Sequence, residues 1–369
     1  MRALLLSTLP REGPSARPRL YAYEAHLRAA GIEPVFAPLL SSRAAQRFYD
    51  AGTGARARRL ARAAAGAVAR LTKLLRAGRF DVVVVHRDLL PRGNALALRV
   101  LQRSGVPFVY DFDDAIYLAP RDFVAEGDKS ASLMARGKDP GEIPALVSAA
   151  TVVLAGNETL AAWARGLSGD VRVQPTPVDT DVFRPPERPR ATDATPVVGW
   201  IGSPTATYCL LSLRAALGRV GHRHRYSMEV VGAAETIAVP GIPVRHDDWR
   251  LADEADAYRR LDIGLYPLPD NEWTRGKCGY KALVYMASGA VPVVSPVGVG
   301  RTIVEHGVRG FHAIDDEGWI DAVSRLLGDP ELRAEMSVRG RAYVEEQFSV
   351  HALHPGFVQA LRDAAESRS

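Results

Sequence analysis

Asp81-Val-Val-Val-Val-His-Arg87 decides the fold. Four consecutive valines with no polar alternation describe a strand buried on both faces, and the charged pair that ends the run marks the start of a loop. Upstream, residues 55–78 set Leu60, Ala64, Ala67, Leu71 and Leu74 on one helical side and Arg56, Arg59, Arg62, Arg70 and Lys73 largely elsewhere, and the pattern stops at Gly78. Ala3-Leu-Leu-Leu6, Pro107-Phe-Val-Tyr110 and Thr151-Val-Val-Leu154 repeat the buried-strand pattern, with helical periods between them. Strand, helix, strand in this order is an α/β chain with a parallel sheet covered on both sides.

The order breaks at Phe183-Arg-Pro-Pro-Glu-Arg-Pro-Arg190 and the polar residues up to Pro196, then restarts with Val197-Val-Gly-Trp-Ile201, Met228-Glu-Val-Val231, Asp262-Ile-Gly-Leu-Tyr266 and Val291-Pro-Val-Val294. A chain of 369 residues exceeds what one core usually supports, so two doubly wound domains are expected. The expected division is residues 1–183, a linker over 184–196, a second domain over 197–347 and a closing helix over 348–369. Ligands of such sheets bind beyond the carboxyl ends of the strands, which places the expected site in the cleft between facing domains.

Composition narrows the partners. The net charge of +5 hides an imbalance, because residues 1–80 hold fifteen Lys/Arg against four Asp/Glu and the remainder is net acidic. That basic region reads first as a solvated Arg-rich helix, and after that as a surface for an anionic membrane or an acidic carrier protein. It carries no zinc spacing and no ribonucleoprotein aromatic pattern, so nucleic acid is not expected. Only Cys209 and Cys278 occur, no apolar run is long enough to span a membrane, and the opening residues do not read as a signal peptide, all of which favours the cytoplasm, with a peripheral membrane position left open.

Three loops carry chemistry. Asp270-Asn-Glu-Trp-Thr-Arg-Gly-Lys-Cys-Gly-Tyr-Lys281 follows a strand and precedes the helical Ala282–Ser288, so Gly276 and Gly279 admit close backbone approach while Arg275, Lys277 and Lys281 suit a diphosphate. Gly199-Trp-Ile-Gly-Ser-Pro-Thr205 also leaves a buried strand; Ser203 or Thr205 there serves as a helix cap or as a second side of the same ligand site. Tyr110-Asp-Phe-Asp-Asp-Ala-Ile-Tyr117 groups Asp111, Asp113 and Asp114, whose carboxylates suit a divalent metal, a base, acceptor hydroxyls, or mere capping. His86 and Arg87 end their strand where catalytic groups collect. Signatures of serine hydrolases, P-loop enzymes, zinc proteases and dinucleotide-binding folds are missing, which disfavours hydride transfer.

Asp111-Phe-Asp-Asp-Ala-Ile116, Ala155-Gly-Asn-Glu-Thr-Leu160, Pro175-Thr-Pro-Val-Asp179, Gly199-Trp-Ile-Gly-Ser-Pro204, Trp273-Thr-Arg-Gly-Lys-Cys-Gly-Tyr-Lys281, Tyr285-Met-Ala287 and Ser295-Pro-Val-Gly298 stand in one order along nearly the whole chain. Together they resemble the family 4 retaining glycosyltransferases of the GT-B fold, more closely a bacterial branch with a Gly-Lys-Cys-Gly-aromatic-Lys loop.

The resemblance implies two facing Rossmann-like domains and transfer of a sugar, with retention, from a nucleotide diphosphate sugar, UDP before GDP, to a hydroxyl or amine acceptor. It implies no cofactor and no metal. Gly202, Ser203, Cys278, Gly279 and Tyr280 become donor-binding candidates; Arg275, Lys277 and Lys281 neutralise the leaving diphosphate, with His86 and Asp113 as further catalytic candidates; Arg87, Asp111 and Asp114 lie on the acceptor side. Gly276 and Val284 stand where the wider family has two glutamates, so the usual carboxylates for sugar and ribose are absent. An epimerase or phosphorylase of the same fold, and a nucleotide-sugar-binding protein without turnover, are the alternatives.

Overall fold

The structure is a computed structural model that describes residues 1–41, 56–90, 93–118, 141–187 and 194–368, with the side chains of the helix beginning at Arg56 described from residue 65 onward. Two compact units divide it: Met1–Pro177 with Leu353–Ser369, and Val178–Ala352. The division precedes the expected linker over 184–196, of which residues 188–193 lie outside the described residues. The segment after Val178 already belongs to the second unit, because Arg341 donates to the carbonyls of Thr180 and Phe183.

The first unit holds one parallel sheet in the order β2-β1-β3-β4-β5-β6. Its strands are β1 (Arg2–Ser7), β2 (Glu33–Pro38), β3 (Val82–His86), β4 (Phe108–Phe112), β5 (Val152–Ala155) and β6 (Val171–Val173). Every residue of β3, β4 and β5 is buried, which is why they read as unbroken apolar runs. The edge strands β2 and β6 escaped the sequence reading. Pro34 and Pro38 remove two ladder donors from β2, a loss tolerated only at an edge, and β6 has three residues.

Among the described residues, the helices of the first stretch of this unit are α1 (Ala16–Arg19), α2 (Glu24–Ala29), α3 (Arg56–Leu75), α4 (Asn94–Arg103), α5 (Glu142–Ala149) and α6 (Glu158–Arg165). One expectation for α3 is corrected. Arg70 is not on a polar face but buried, and its guanidinium donates to the carbonyls of Ser7 (2.6 Å), Ala37 (2.9 Å) and Leu89 (3.3 Å). The guanidinium thereby supplies these buried carbonyls with a donor, that of Ser7 alongside the Leu39 N–H (2.8 Å). Burial pushes the Arg70 guanidinium down to about 10. Val68 and Leu75 point outward instead. The expectations for Arg56, Arg59, Leu60, Arg62 and Ala64 concern side chains outside the described residues.

The second unit repeats the plan in the order β12-β11-β10-β7-β8-β9. Its strands are β7 (Val197–Ile201), β8 (Ser227–Val231), β9 (Val244–Asp247), β10 (Ile263–Tyr266), β11 (Val291–Val294) and β12 (Phe311–His312). The helices that matter below are α7 (Thr207–Leu211), α8 (Arg214–Gly221), α9 (Glu254–Arg259), α10 (Glu272–Arg275), α11 (Tyr280–Ala287), α12 (Gly300–Ile303), α13 (Asp316–Gly328), α14 (Pro330–Gln347) and α15 (Val350–Glu366). One core cluster gathers Trp200, Tyr226 and Trp319, and another gathers Tyr258, Leu283, Val284 and Tyr285. Among the described residues no helix is long and apolar enough to cross a membrane.

Candidate functional site

In the first unit, chemistry collects where β3 and β4 end. His86 and Asp111 are register partners, so the ladder itself sets them side by side. Asp111 is fully buried; one oxygen faces His86 Nδ1 at 2.7 Å, and Arg19 grips the carboxylate with Nε (3.2 Å) and Nη2. Arg19, itself 1% exposed, donates from Nη1 to the Gln174 carbonyl at 2.5 Å, tying α1 to the end of β6. On the other side of the ring, His86 Nε2 lies 2.8 Å from Ser15 Oγ, which donates to Asp113 at 2.9 Å. The line from Asp111 through His86 and Ser15 to Asp113 is continuous.

Arg87 closes the cluster. Its Nε donates to Asp113 (2.7 Å) and its Nη2 to Asp114 (2.5 Å). Its φ of 63° makes it the non-glycine residue in the left-handed region among the described residues. Such a backbone costs about 1–3 kcal/mol and persists where neighbours over-determine it. Here the Arg87 N–H donates to the Asp111 carbonyl (2.9 Å) and the Tyr110 hydroxyl donates to the Arg87 carbonyl (2.8 Å).

The electrostatics follow. Burial opposes ionisation of Asp111, but the charge of Arg19 and the bond from His86 outweigh it and hold the carboxyl below its usual range. Asp113 is half-buried and also held far below that range, chiefly by Arg87. Asp111 and Asp113 therefore stay ionised, each against an arginine, which suits orienting hydroxyl or amine donors and makes Asp113 a weak base. Sequence reasoning brought His86, Arg87, Asp111, Asp113 and Asp114 to this place but missed Ser15 and Arg19. Ser15 stands at the N-cap of α1 and Arg19 ends it, just after β1, where the run Ser15-Ala-Arg-Pro-Arg19 was the available signal.

In the second unit, the loop between β10 and α11 is rigid. Asn271 Oδ1 accepts from the Thr274 N–H (2.9 Å) while the Thr274 hydroxyl accepts from the Asn271 N–H (3.1 Å), a reciprocal cap on α10. Gly279, at φ 66°, turns the chain into α11, and a Cβ there would lie 2.3 Å from Ile303. Gly279, the N-cap of α11, has no side chain with which to cap its first turn.

Lys281 is the informative residue of this loop. Its ammonium lies 4.9 Å from the Trp200 ring centroid and 5.8 Å from that of Tyr266, so it reaches across from α11 to the end of β7. A Cβ built on Gly202 would fall 2.8 Å from that nitrogen. Burial, and after it the charge of Lys277, push the Lys281 amine down to about 8. Lys277 Nζ lies 5.1 Å from the Trp273 ring centroid. Arg275 is placed differently: it is exposed and its Nε donates to Asp270 at 2.6 Å. The Ser203 hydroxyl is exchanged with that of Thr205 at 3.0 Å and caps nothing through its side chain. Cys278 and Tyr280 are half-buried in the loop.

Beside Gly202 lies a pocket of about 570 Å³, lined among others by Val231, Asp247, Asp248, Trp249, Arg250 and Arg260. Gly232, at φ 77°, separates the two: a Cβ there would lie 2.3 Å from the Gly202 carbonyl oxygen and 3.3 Å from Trp249 Cβ. The Trp249 indole donates to Glu254 at 3.1 Å, which fixes its ring in the wall. Sequence reading passed over this pocket because β9, Val-Arg-His-Asp, is polar and half-exposed.

Gly202→Ala tests how tight the β7 end is. The added methyl would sit 2.2 Å from the Trp200 ring as well as against Lys281, so both must shift. Destabilisation of about 1–3 kcal/mol is expected from such overpacking, with Lys281 displaced. Thermal melting reads the first effect; a melting curve identical to that of the parent would count against the geometry.

Residues 195–329 match the family described as "Glycosyl transferases group 1". No curated protein sequence matches the chain. Among solved structures it is similar to sucrose-phosphate synthase from Thermosynechococcus elongatus, at 14% identity and TM-score 0.66 over 99% of both chains. A glycosyltransferase from Rickettsia africae matches at 12% identity and TM-score 0.66 over 98% of both chains. Anabaena HepE in complex with UDP matches at 15% identity and TM-score 0.61, over 98% of this chain and 100% of that one. The two parallel-sheet units are the GT-B fold that the sequence motifs implied.

Proposed function

We propose that the chain is a retaining glycosyltransferase that takes a sugar from a nucleotide diphosphate sugar, with UDP as the favoured nucleotide, and passes it to a hydroxyl or amine acceptor. The carrying observation is Lys281, an ammonium set at the end of β7 beside Gly202 and within the first turn of a helix whose N-cap is Gly279. A cation, a close-approach glycine and helix N–H groups converging on one point suit a diphosphate. The family match covers all of these residues. The pocket along Trp249 is the matching place for the nucleoside. UDP rests on HepE, whose structures hold UDP and UDP-glucose.

In this reading, departure of the diphosphate is the costly event, because negative charge grows on the leaving oxygen while the sugar becomes oxocarbenium-like. Lys281, supported by Lys277, stabilises that charge at no cost in reorganisation, since Trp200 and Tyr266 already hold its ammonium in place. Arg275, tied to Asp270, contributes to the field of the loop from its edge. Backbone N–H groups of Cys278, Gly279 and Tyr280, with Gly202 and Ser203, complete the donor seat. The acceptor is assigned to the first unit, where Arg87, Asp111 and Asp114 hold the frame around His86 and Asp113. Attack on the side from which the diphosphate leaves gives retention without a protein nucleophile and without a metal or other cofactor.

Isothermal calorimetry with UDP and GDP, followed by nuclear magnetic resonance of a panel of donor sugars with and without acceptors, tests the reading. UDP should bind, and the new glycosidic bond should keep the donor's anomeric configuration. Absence of nucleotide binding at millimolar concentration would overturn the donor assignment, and an inverted product would overturn retention. Val284 is wholly buried and Gly276 leaves no side chain, so neither replaces the family's missing carboxylates. That favours one alternative, a protein that binds nucleotide sugar without turnover, which the same experiment separates by showing binding with no consumption.

A further inference from the structure

We propose that His26, His351 and His354 bind a zinc ion, which clips α15 to α2. The inference is independent of the donor reading and concerns a metal that takes no part in sugar transfer. Among the described residues, these three form the one group of three or more histidine, cysteine or carboxylate side chains whose ligand atoms all lie within 4.8 Å of one another. Nearly the whole sequence separates His26 from the other two, so their meeting is a product of the fold.

Two of the ligands are set by one helix. His351 and His354 are three residues apart in α15, a spacing that brings both to one helical face. His26 comes from α2, and its ring centroid lies 4.3 Å from that of His354, with 38° between the planes. Neighbouring contacts hold this seam without help from a metal. Phe357 stacks on Tyr23, and Gln174 Nε2 donates to the Tyr23 hydroxyl (2.8 Å) and to the Leu353 carbonyl (3.0 Å). A tetrahedral zinc ion with bonds of about 2.0–2.1 Å needs its nitrogens roughly 3.3 Å apart. Rotation about χ2, which is broad for histidine, closes the remaining gap at little cost.

The donor set selects the metal. Imidazole suits zinc and its transition-metal neighbours, whereas magnesium and calcium want oxygen, and among the described residues no carboxylate lies within that span of all three rings. The carboxylates at the end of β4 go instead to Arg19 and Arg87. His351 is exposed and the other two are half-buried, so the ion has a route from solvent, and a water completes the tetrahedron that zinc prefers. The clip falls where α15 is weakest. Pro355 has no N–H to return to the His351 carbonyl, so the helix lacks a bond that would tie its first turn to its second. An ion shared with His26 fastens that turn to α2.

Calorimetry of the full chain, free of any affinity tag, with zinc chloride and no nucleotide tests the proposal. One zinc ion should bind per chain, and magnesium should not. Cobalt in its place should give the visible absorption of a four-coordinate ion. At free zinc about a hundred times its dissociation constant, the folded-to-unfolded ratio should rise roughly a hundredfold, and hydrogen exchange in the first turns of α15 should slow. His351→Ala should weaken binding by more than the roughly ten- to hundredfold that loss of an outer partner costs. That position is exposed, so the variant should melt like the metal-free parent. His354→Ala should weaken binding at least as much, whereas His222→Ala, on an exposed histidine of the second unit, should bind as the parent does. No zinc binding at millimolar concentration would overturn the proposal. So would binding that persists unchanged in both His351→Ala and His354→Ala, because the ion would then sit elsewhere.

Discussion

Lys281→Ala should lower kcat of sugar transfer by about a hundred- to a thousand-fold, the range measured when one preorganised donor is removed from a developing anion. It should do so without unfolding the chain. The ammonium of Lys281 is held in a place that depresses it to about 8, by burial first and by Lys277 second, so its charged form is disfavoured in the free protein. Removing it relieves that cost, and the melting temperature should stay level or rise at neutral pH. A purely structural lysine would show the opposite pairing, with lost stability and retained turnover.

The same depression sets a pH dependence with a definite sign. Diphosphate binds the protonated amine and raises its pKa in the complex. Below about pH 8 the free protein already carries that proton, and affinity is flat. Above it, affinity should fall, by up to about tenfold per pH unit, until the pKa of the complex is reached. Calorimetry with UDP across this interval checks it. In Lys281→Ala the fall should vanish, and a fall that survives the substitution would assign it to another group.

Asp111→Ala carries the largest expected effect on stability. It strips Arg19 of its carboxylate while leaving the guanidinium in a site 1% exposed, and it removes the acceptor from His86 Nδ1. Breaking one side of a buried pair costs about 3–5 kcal/mol. Urea unfolding of the first unit should show that loss. Joint replacement, Arg19→Met with Asp111→Leu, should recover a good part of it, because an apolar pair leaves no buried charge uncompensated. Loss of stability in the double variant equal to that in Asp111→Ala would show that His86, not Arg19, is what the carboxylate supports. In acid the sign is also fixed. Asp111 and Asp113 are both held below the ordinary range of a carboxyl, so their contribution is complete above about pH 4 and is lost as the pH falls towards their native values.

How much of this was legible in the sequence depends on distance along the chain. The central strands β3, β4, β7, β10 and β11 announced themselves, because burial on both faces forces unbroken apolar runs. The edges β2, β6, β9 and β12 did not, since an edge strand tolerates proline, charge and brevity. The site loops were legible because they follow those central strands. Their partners were not: Arg19 meets Asp111 across 92 residues and Gln174 across 155, and no local pattern encodes such a meeting. Arg70 is the sharpest case. On a helical wheel it is one more cation of a basic face, and only the carbonyls of Ser7, Ala37 and Leu89, supplied by three other elements, draw it inward.

The first unit is assembled from two stretches of chain separated by the whole of the second, and its later stretch is no loose appendage. In α15, Phe357 stacks on Tyr23 at 4.4 Å between ring centroids, and Phe357, Ala360, Leu361 and Ala364 are fully buried. Arg172 of β6 meets Asp363 at 2.6 Å. On the ribosome, the sheet of the first unit therefore emerges early but waits, with Tyr23 uncovered, until residues 353–368 follow the second unit out of the exit tunnel. The second unit meets no such delay, since Val178–Ala352 is a single unbroken stretch. The half synthesised first is the half completed last, and the interval between is when a chaperone would find apolar surface to hold.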